Sequence, residues 1–411
     1  MNFSAAYSIL KKVYQDGAYV SEIITRENVA DPFAVRLAYG VVERDYELSA
    51  IVSALTSKAP KAAIKILIKM GIYCIKYMDS VPAYAATSEI VSFAKKIGKG
   101  ANAGFINAVL KSAVDYVLPV PGDPVEALAF KVSVPTWIVQ KLVGRFGIKE
   151  TEAILSYREA RPNIRINERL ITECEALNRL TKSGAAPERS PLGGFRITLN
   201  DTVKKMFAKG LITYQSPSSV YVAGLCADVR PRRVLDLCSA PGGKAIAIAE
   251  KTGAEVLACD VHPHRTELIK KYAERMKTQG ISTKVMDGTV LNEDLVGAFD
   301  LVLVDAPCSG IGVIAGKPEM ALSRRPVDVD TLVGVQKKLI STAANYVKKG
   351  GYLTYSTCTL FFEENEGVAE WFLKAHPDFV VDMPGGEKMG RTILPHVEKA
   401  DGFFAVRMKR V

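Results

Sequence analysis

Asp236–Lys244 reads DLCSAPGGK, preceded by the apolar pair Val234-Leu235 and followed by the helix-forming AIAIAEK. The order is that of a buried strand that stops in a glycine-rich turn and restarts as a helix. Such a turn leaves backbone N–H groups and a helix N-terminus facing one crevice, an arrangement suited to a nucleotide-like ligand. Gly242 and Gly243 let that ligand approach the backbone closely. The turn is not the dinucleotide pattern G-x-G-x-x-G, so by itself it does not define the ligand. Two further strand ends do more. AEVLACD closes on Asp260, about twenty residues on, where a carboxylate can hold a ribose hydroxyl pair, and STKVMDG closes on Asp287. Three polar strand ends along one edge of a parallel sheet describe a crevice for a nucleoside-like cofactor.

Working outward, strands are expected near 233–238, 254–259, 282–286, 299–305, 351–356 and 403–408, with helices between most of them. That alternation is the pattern of a doubly wound α/β sheet. FDLVLVDAPCSG places Asp305, Pro307 and Cys308 just past the fourth strand, and GGYLTYSTCT places Thr357 and Cys358 just past the fifth. In such a sheet these two strands are neighbours at about 4.8 Å spacing, so both thiols should face the cofactor crevice. A cysteine near a strand is commonly a small buried hydrophobe, which is the reading for Cys226 and Cys259. Cys308 and Cys358 sit instead in turns at the functional edge, beside polar partners, where a thiol can be ionised and exposed as a nucleophile must be.

The 411 residues exceed one ordinary domain, and with 48% hydrophobic residues the chain can bury two or three cores. Apolar runs such as ALAF and FDLVLV fall well short of the roughly twenty residues that a membrane span needs. The start MNFSAAYSILKK lacks the order of a signal peptide, so no membrane association and a cytoplasmic location are expected. Seven cysteines without a C-x-x-C pair and four histidines without ligand spacing indicate neither a disulfide framework nor a metal site. A monomer is expected. The formal net charge of +10 is uneven: from Lys58 to Lys111 there are nine lysines and no arginine, against Asp79 and Glu89. This is a basic patch for phosphate backbones or a solvated helical face.

Residues 1–135 read as helices throughout. Ala34, Leu37, Ala38, Val41 and Val42, and again Ile64, Leu67, Ile68 and Ile72, recur at helical spacing, and PVPGDP at 119–124 reads as a loop. The order DPFAVRLAYGVVERDYEL, IKMGIYCIKYMDSVPAYAATSEIV, GFINAVLKS resembles the NusB-type RNA-binding helical domain. The resemblance implies RNA contact by the basic segment, with Asn107 either packing or touching RNA. In 136–215, two amphipathic helices precede a small α/β unit, in which RPNIRIN and FRITL read as strands and ITECEALNRLTKSG as a helix. Arg165 and Asn167 either meet nucleic acid or decorate an edge strand. The third domain is 216–411.

A thiol pair beside a nucleoside-like cofactor suits methylation of a pyrimidine at carbon five, a position too electron-poor to take a methyl cation equivalent directly. A thiolate adds to carbon six, carbon five becomes nucleophilic and takes the methyl group, and loss of the ring proton expels the thiol. Asp305 would hydrogen-bond the cytosine edge and stabilise charge during the addition. DLCSAPGGK, DAPCSG, YSTCT, EENE at 363–366 and DGFFAVRMKR resemble the RsmB/NOL/NSUN family of RNA cytosine-5 methyltransferases, and the NusB-like start places the chain nearest the RsmB subgroup.

The resemblance implies a Rossmann-like S-adenosylmethionine-dependent methyltransferase domain, preceded by an all-α NusB-like domain and a small α/β linking unit. It makes Cys358 the nucleophile and gives Cys308 a role in release of the enzyme from product. It also implies S-adenosylmethionine held by Cys238, Ser239, Ala240, Pro241, Gly242, Gly243 and Lys244, by Asp260 through the ribose, by Asp287 near the adenine and by Asp305 near the methyl-bearing end. The partner it implies is RNA, small-subunit ribosomal in first place and transfer RNA as the alternative. Departures from the pattern, Ala245 after the lysine, QSPSS at 215–219, Ile311-Gly312 and GKPEMALSRRP, bear on substrate choice more than on chemistry. Two other readings compete. An amino-group methyltransferase would carry an aromatic ring where Cys308 stands, and a non-catalytic RNA-binding assembly factor would have no chemical reason to keep both thiols, Asp305 and the glycine turn together.

Overall fold

The structure, a computed structural model, describes residues 2–159 and 161–411. Two compact units form. One comprises the chain up to Ser156 together with Gly316–Arg324, and the other comprises Tyr157–Ala315 and Arg325–Val411.

The first unit is helical. Seven α-helices between Phe3 and Asp115 bury Ile9, Leu10, Leu37, Val41, Leu67, Ile68, Ile106 and Leu110 in one core, the apolar stripes that the spacing predicts. Thr136–Phe146 and Ile148–Ser156, grouped above with the linking unit, lie in this unit. The first of them buries Ile138, Val139 and Leu142, and its Thr136 hydroxyl meets Tyr46 at 2.8 Å. Gly316–Arg324 belongs here although it lies between two strands of the other unit in sequence. Glu319 accepts the Val20 N–H at 3.1 Å, Lys317 sits over the Tyr19 ring at 5.3 Å, and Leu322 packs on the core.

The basic segment is less uniformly exposed than its composition implies. Lys58, Lys61, Lys95, Lys96 and Lys111 are exposed, whereas Lys69 is buried and ion-paired with Asp45, which also accepts the Tyr14 hydroxyl. Burial pushes the Lys69 ammonium down, against the pull of Asp45. Removing one partner of a buried pair strands the other charge, at a cost of about 3–5 kcal/mol. Lys69→Ala is therefore expected to lower the thermal midpoint of the helical unit, measured by circular dichroism, rather than to act as the loss of an RNA contact.

The second unit opens with a small antiparallel sheet of β1 (Asn163–Ile166), β2 (Glu188–Arg189), β3 (Phe195–Arg196) and β4 (Ile212–Tyr214), in the order β2-β3-β1-β4. Its core is Ile164, Leu180, Ile197, Val203 and Ile212. Arg165 and Asn167 do neither thing expected of them. Their strand is interior, and both side chains are buried: Arg165 donates to Gln215 Oε1 at 2.8 Å and pairs with Glu250, while Asn167 donates to the Gly210 and Met276 carbonyls at 3.2 and 2.8 Å. They fasten the small sheet to helix Gly243–Thr252 and to the end of helix Pro263–Met276.

The large sheet contains β5 (Arg233–Asp236), β6 (Glu255–Asp260), β7 (Ile281–Val285), β8 (Phe299–Asp305), β9 (Val347–Thr357), β10 (Phe379–Val381), β11 (Arg391–Ile393) and β12 (Phe403–Arg410). The order is β10-β12-β9-β8-β5-β6-β7, with β11 pairing β12. The five strands β5–β9 are parallel, and β12 runs antiparallel to β9. The short strands β10 and β11 carry too few residues for an alternation to be read in sequence. Val302, Leu303 and Val304 are fully buried, because helices cover both faces of a parallel sheet. From β5 the chain passes to β6 on one side, and β8 lies on the other. The turn after β5 therefore opens at the switch point, where open α/β sheets bind ligands.

Candidate active site

The DLCSAPGGK turn is stitched to both neighbouring strands: Leu237 N–H donates to Leu303 O at 2.9 Å, and Ser239 N–H to Cys259 O at 2.8 Å. Gly242 takes φ 106°, open to glycine and strained for other residues, and begins helix Gly243–Thr252. Ala245, where the family pattern has threonine, is fully buried on that helix.

Asp236 Oδ1 and Ser239 Oγ are buried and under-satisfied, with little beyond each other and the Cys238 backbone to meet them, a condition that native interiors rarely leave unfilled. Together with the glycine-lined turn, these under-satisfied buried atoms fit a ligand that brings its own polar groups, as S-adenosylmethionine would. Burial, with the Asp305 charge adding to it, pushes the Asp236 carboxyl from its ordinary 3.8 up to about 7. Its contribution to stability is complete below the unfolded value and is lost as pH rises through the folded one. The urea midpoint of the wild type should accordingly fall between about pH 4 and pH 7, and Asp236→Asn should flatten that part of the profile.

Asp260 ends β6, buried, with its carboxylate accepting the His262 N–H at 3.1 Å and pairing with Arg265 at 3.2 Å. Arg265 also reaches the Ala240 carbonyl at 3.4 Å, tying two cofactor-side loops together. Asp287 follows β7, is exposed, and is turned by its bonds to Thr289 N–H and Oγ1 at 2.9 and 2.7 Å, which hold its carboxyl below the usual range.

β8 and β9 are adjacent, with Asp305 opposite Ser356. Asp305 accepts from the Ser356 hydroxyl at 2.8 Å and from Lys244 Nζ at 2.5 Å. Burial works against the Lys244 ammonium, but the Asp305 carboxylate holds it charged. A few residues on, the Cys308 and Cys358 sulfurs are 3.3 Å apart, and the Cys358 N–H donates to Cys308 Sγ at 3.3 Å. Cys308 is 7% exposed, and its contact with Cys358, then burial, keep its thiol strongly protonated. Cys358 is half-buried.

Beneath the thiols lies a buried polar brace that the sequence reading touched only as the EENE match. Glu364 accepts the Ser309 N–H at 2.8 Å, the Ser309 hydroxyl at 2.5 Å and Gln336 Nε2 at 3.0 Å. Gln336 also donates to Pro307 O at 2.9 Å. Asn365 donates to Thr359 O at 3.0 Å and accepts from Thr357 at 2.5 Å. Ser309 and Thr359 hydroxyls meet at 2.7 Å, linking the two cysteine turns. Gly312, seen above only as a departure from the family pattern, bonds Cys358 O at 3.0 Å; a Cβ there would lie 1.9 Å from Gly402 O. Its signal in sequence is faint, since a lone glycine outside a turn motif does not declare a close approach.

A switch-point glycine turn, acidic strand ends and a polar fourth-strand loop define an S-adenosylmethionine-dependent methyltransferase of Rossmann-like fold. The family profile described as 16S rRNA methyltransferase RsmB/F matches residues 227–409, and that of the NusB family matches residues 4–115. A probable ribosomal RNA small subunit methyltransferase B of Bacillus subtilis (strain 168) is 32% identical over 98% of both chains. The chain belongs to the RsmB/F methyltransferase family. The solved structure of PH0851 is similar in fold over 99% of this chain and 98% of its own, with a TM-score of 0.85 at 23% identity. NSun6 from Pyrococcus horikoshii with SFG, an S-adenosylmethionine analogue, is similar in fold over 67% of this chain and 98% of its own, with a TM-score of 0.59 at 21% identity. No helix among the described residues is long and apolar enough to cross a membrane.

Proposed function

We propose that the chain methylates carbon five of a cytosine in small-subunit ribosomal RNA through a covalent adduct with Cys358. The observation that carries this reading is the pair of thiols 3.3 Å apart at the ends of adjacent parallel strands, beside the Asp305–Lys244 pair. Cys358, the more open of the two, is the nucleophile. Its sulfur bonds to carbon six, and Asp305 orients the base by its Watson–Crick edge. Bound S-adenosylmethionine supplies an electrophilic methyl group, held by Cys238 to Lys244, Asp260, Asp287 and Asp305. After transfer the carbon-five proton passes to solvent water, and its electron pair re-forms the C5–C6 double bond as the carbon–sulfur bond breaks and the Cys358 thiolate leaves. Cys308, protonated beside the departing sulfur, assists release. Tritiated-methyl transfer to small-subunit ribosomal RNA followed by nucleoside analysis tests the reading: label in 5-methylcytidine supports it, and label in N4-methylcytidine or in adenosine overturns it.

RNA is also proposed to meet the helical unit. A groove of ≈ 500 Å³ there is lined by Tyr84, Ser88, Lys95, Asn107 and Lys111 among others, which puts Asn107 on a surface rather than in the core. If Lys95 and Lys111 each neutralise a phosphate, Lys95→Glu with Lys111→Glu should make the log–log salt slope of RNA binding shallower by about 1.4. Filter binding at several salt concentrations reads it, and an unchanged slope removes this groove from the RNA path.

A further inference from the structure

The thiol pair has a second chemistry available to it. A disulfide needs sulfurs at about 2.05 Å, and the Cys308 and Cys358 sulfurs already stand 3.3 Å apart with no backbone element between them. Their turns leave adjacent strands in register and are tied to one another by the Ser309–Thr359 bond and to Glu364 and Asn365 below, so neither sulfur drifts from the other. The two differ in access: Cys358 is half-buried and Cys308 buried, so an oxidant in solution meets Cys358 first with its resolving partner in place.

We propose that Cys308 and Cys358 form an oxidative modification site, where a hydroperoxide converts the pair to an intramolecular disulfide and reversibly switches methyl transfer off. The Cys358 thiolate attacks the peroxide, forming a sulfur–oxygen bond as the oxygen–oxygen bond breaks and one water leaves. Cys308 sulfur then displaces the hydroxyl group from Cys358, the sulfur–sulfur bond forms, and the second water carries off the Cys308 proton. Two thiols lose two electrons and one hydrogen peroxide becomes two waters. The brace and the DLCSAPGGK turn take no part, so cofactor binding persists in the oxidised chain. Only the loss of activity rests on Cys358 being the nucleophile; the crosslink itself does not.

The experiment uses the full chain carrying Cys174→Ser, which removes an exposed thiol capable of linking two molecules. The reduced protein is titrated with hydrogen peroxide, and aliquots are mapped as non-reduced peptides, assayed for methyl transfer and tested for S-adenosylmethionine binding by calorimetry. The expected result is a linked 308–358 peptide that grows as activity falls, unchanged cofactor binding, and recovery of activity with dithiothreitol. With Cys308→Ser added, no linked peptide forms and Cys358 advances to sulfinic acid, which dithiothreitol does not reverse. Activity lost without the linked peptide would overturn the proposal and leave the nucleophile assignment standing. A linked peptide with activity intact would overturn the switch and the nucleophile assignment together.

Discussion

Serine at position 358 is expected to reduce methyl transfer by on the order of 10⁴-fold or more, the scale seen when a covalent nucleophile is removed. Serine at position 308 is expected to leave a protein–RNA adduct that survives denaturant. The asymmetry follows from the geometry. Cys358 is half-buried, while Cys308 beside it is buried with its proton held by the shared contact. A hydroxyl cannot replace the thiolate as the group that adds to carbon six, so Cys358→Ser stops the sequence before any bond forms. Cys308→Ser leaves that addition in place and removes the protonated partner beside the departing sulfur, so turnover stalls after methyl transfer. Mixing protein, S-adenosylmethionine and ribosomal RNA and resolving the products on a denaturing gel reads both effects. Accumulation of adduct in Cys358→Ser instead would exchange the two roles, and methyl transfer by wild type and both variants without any adduct would point to an amino-group target.

Glu364→Ala is expected to have the second largest effect, although the Glu364 carboxylate bonds Ser309 and Gln336 rather than either thiol. It accepts three hydrogen bonds in a site with no solvent exposure, and burial raises its carboxyl above the usual range. Alanine would remove the acceptor of the Ser309 N–H and one bond each of the Ser309 hydroxyl, which keeps Thr359, and of Gln336, which keeps the Pro307 carbonyl. At about 1–3 kcal/mol for a buried group that loses its partner, the local loss is about 1–3 kcal/mol. Because the same bonds hold the turn that carries Cys308, a shift of roughly 1 Å there should lower kcat about 10²-fold. Glu364→Gln, which keeps an acceptor for the Ser309 N–H, should recover part of both losses. Calorimetry of cofactor binding separates this from general unfolding: affinity for S-adenosylmethionine should stay within about twofold, since an effect confined to positioning shifts the equilibrium by only a few tenths of a kcal/mol. Equal loss of cofactor binding and activity would show Glu364 to be a structural residue of the whole sheet.

The site and its frame were legible to different degrees. Most of the parallel strands were readable because they are near-continuous apolar runs ending in a polar turn, as in FDLVLVD before APCSG; β7, ISTKV at the sheet edge, is the exception. The acidic strand ends Asp236, Asp260 and Asp287 came from the same regularity. The short strands β10 and β11 were not readable, since three residues carry no period, and their pairing comes from β12. Lysine counting overstated the basic surface, because composition cannot distinguish Lys95, exposed, from Lys69, folded inward onto Asp45 and Tyr14. Arg165 and Asn167 look like surface groups in RPNIRIN, yet they are internal fasteners.

What the sequence determined by itself was local and periodic: the glycine turn after a strand, the alternation of strands and helices, the helical start, and the two cysteines at neighbouring strand ends. What only the tertiary structure decided was which distant groups meet. Gly316–Arg324 joins the helical unit although it lies between β8 and β9 in the chain. Glu364 and Gln336, 28 residues apart, converge under the thiols, and Cys308 reaches Cys358 across 50 residues. The physical reason is that a side chain's periodicity reports which face it shares with its near neighbours. Its hydrogen-bond partner, by contrast, is set by how separate elements pack, and a buried polar group is stable only where that packing supplies one.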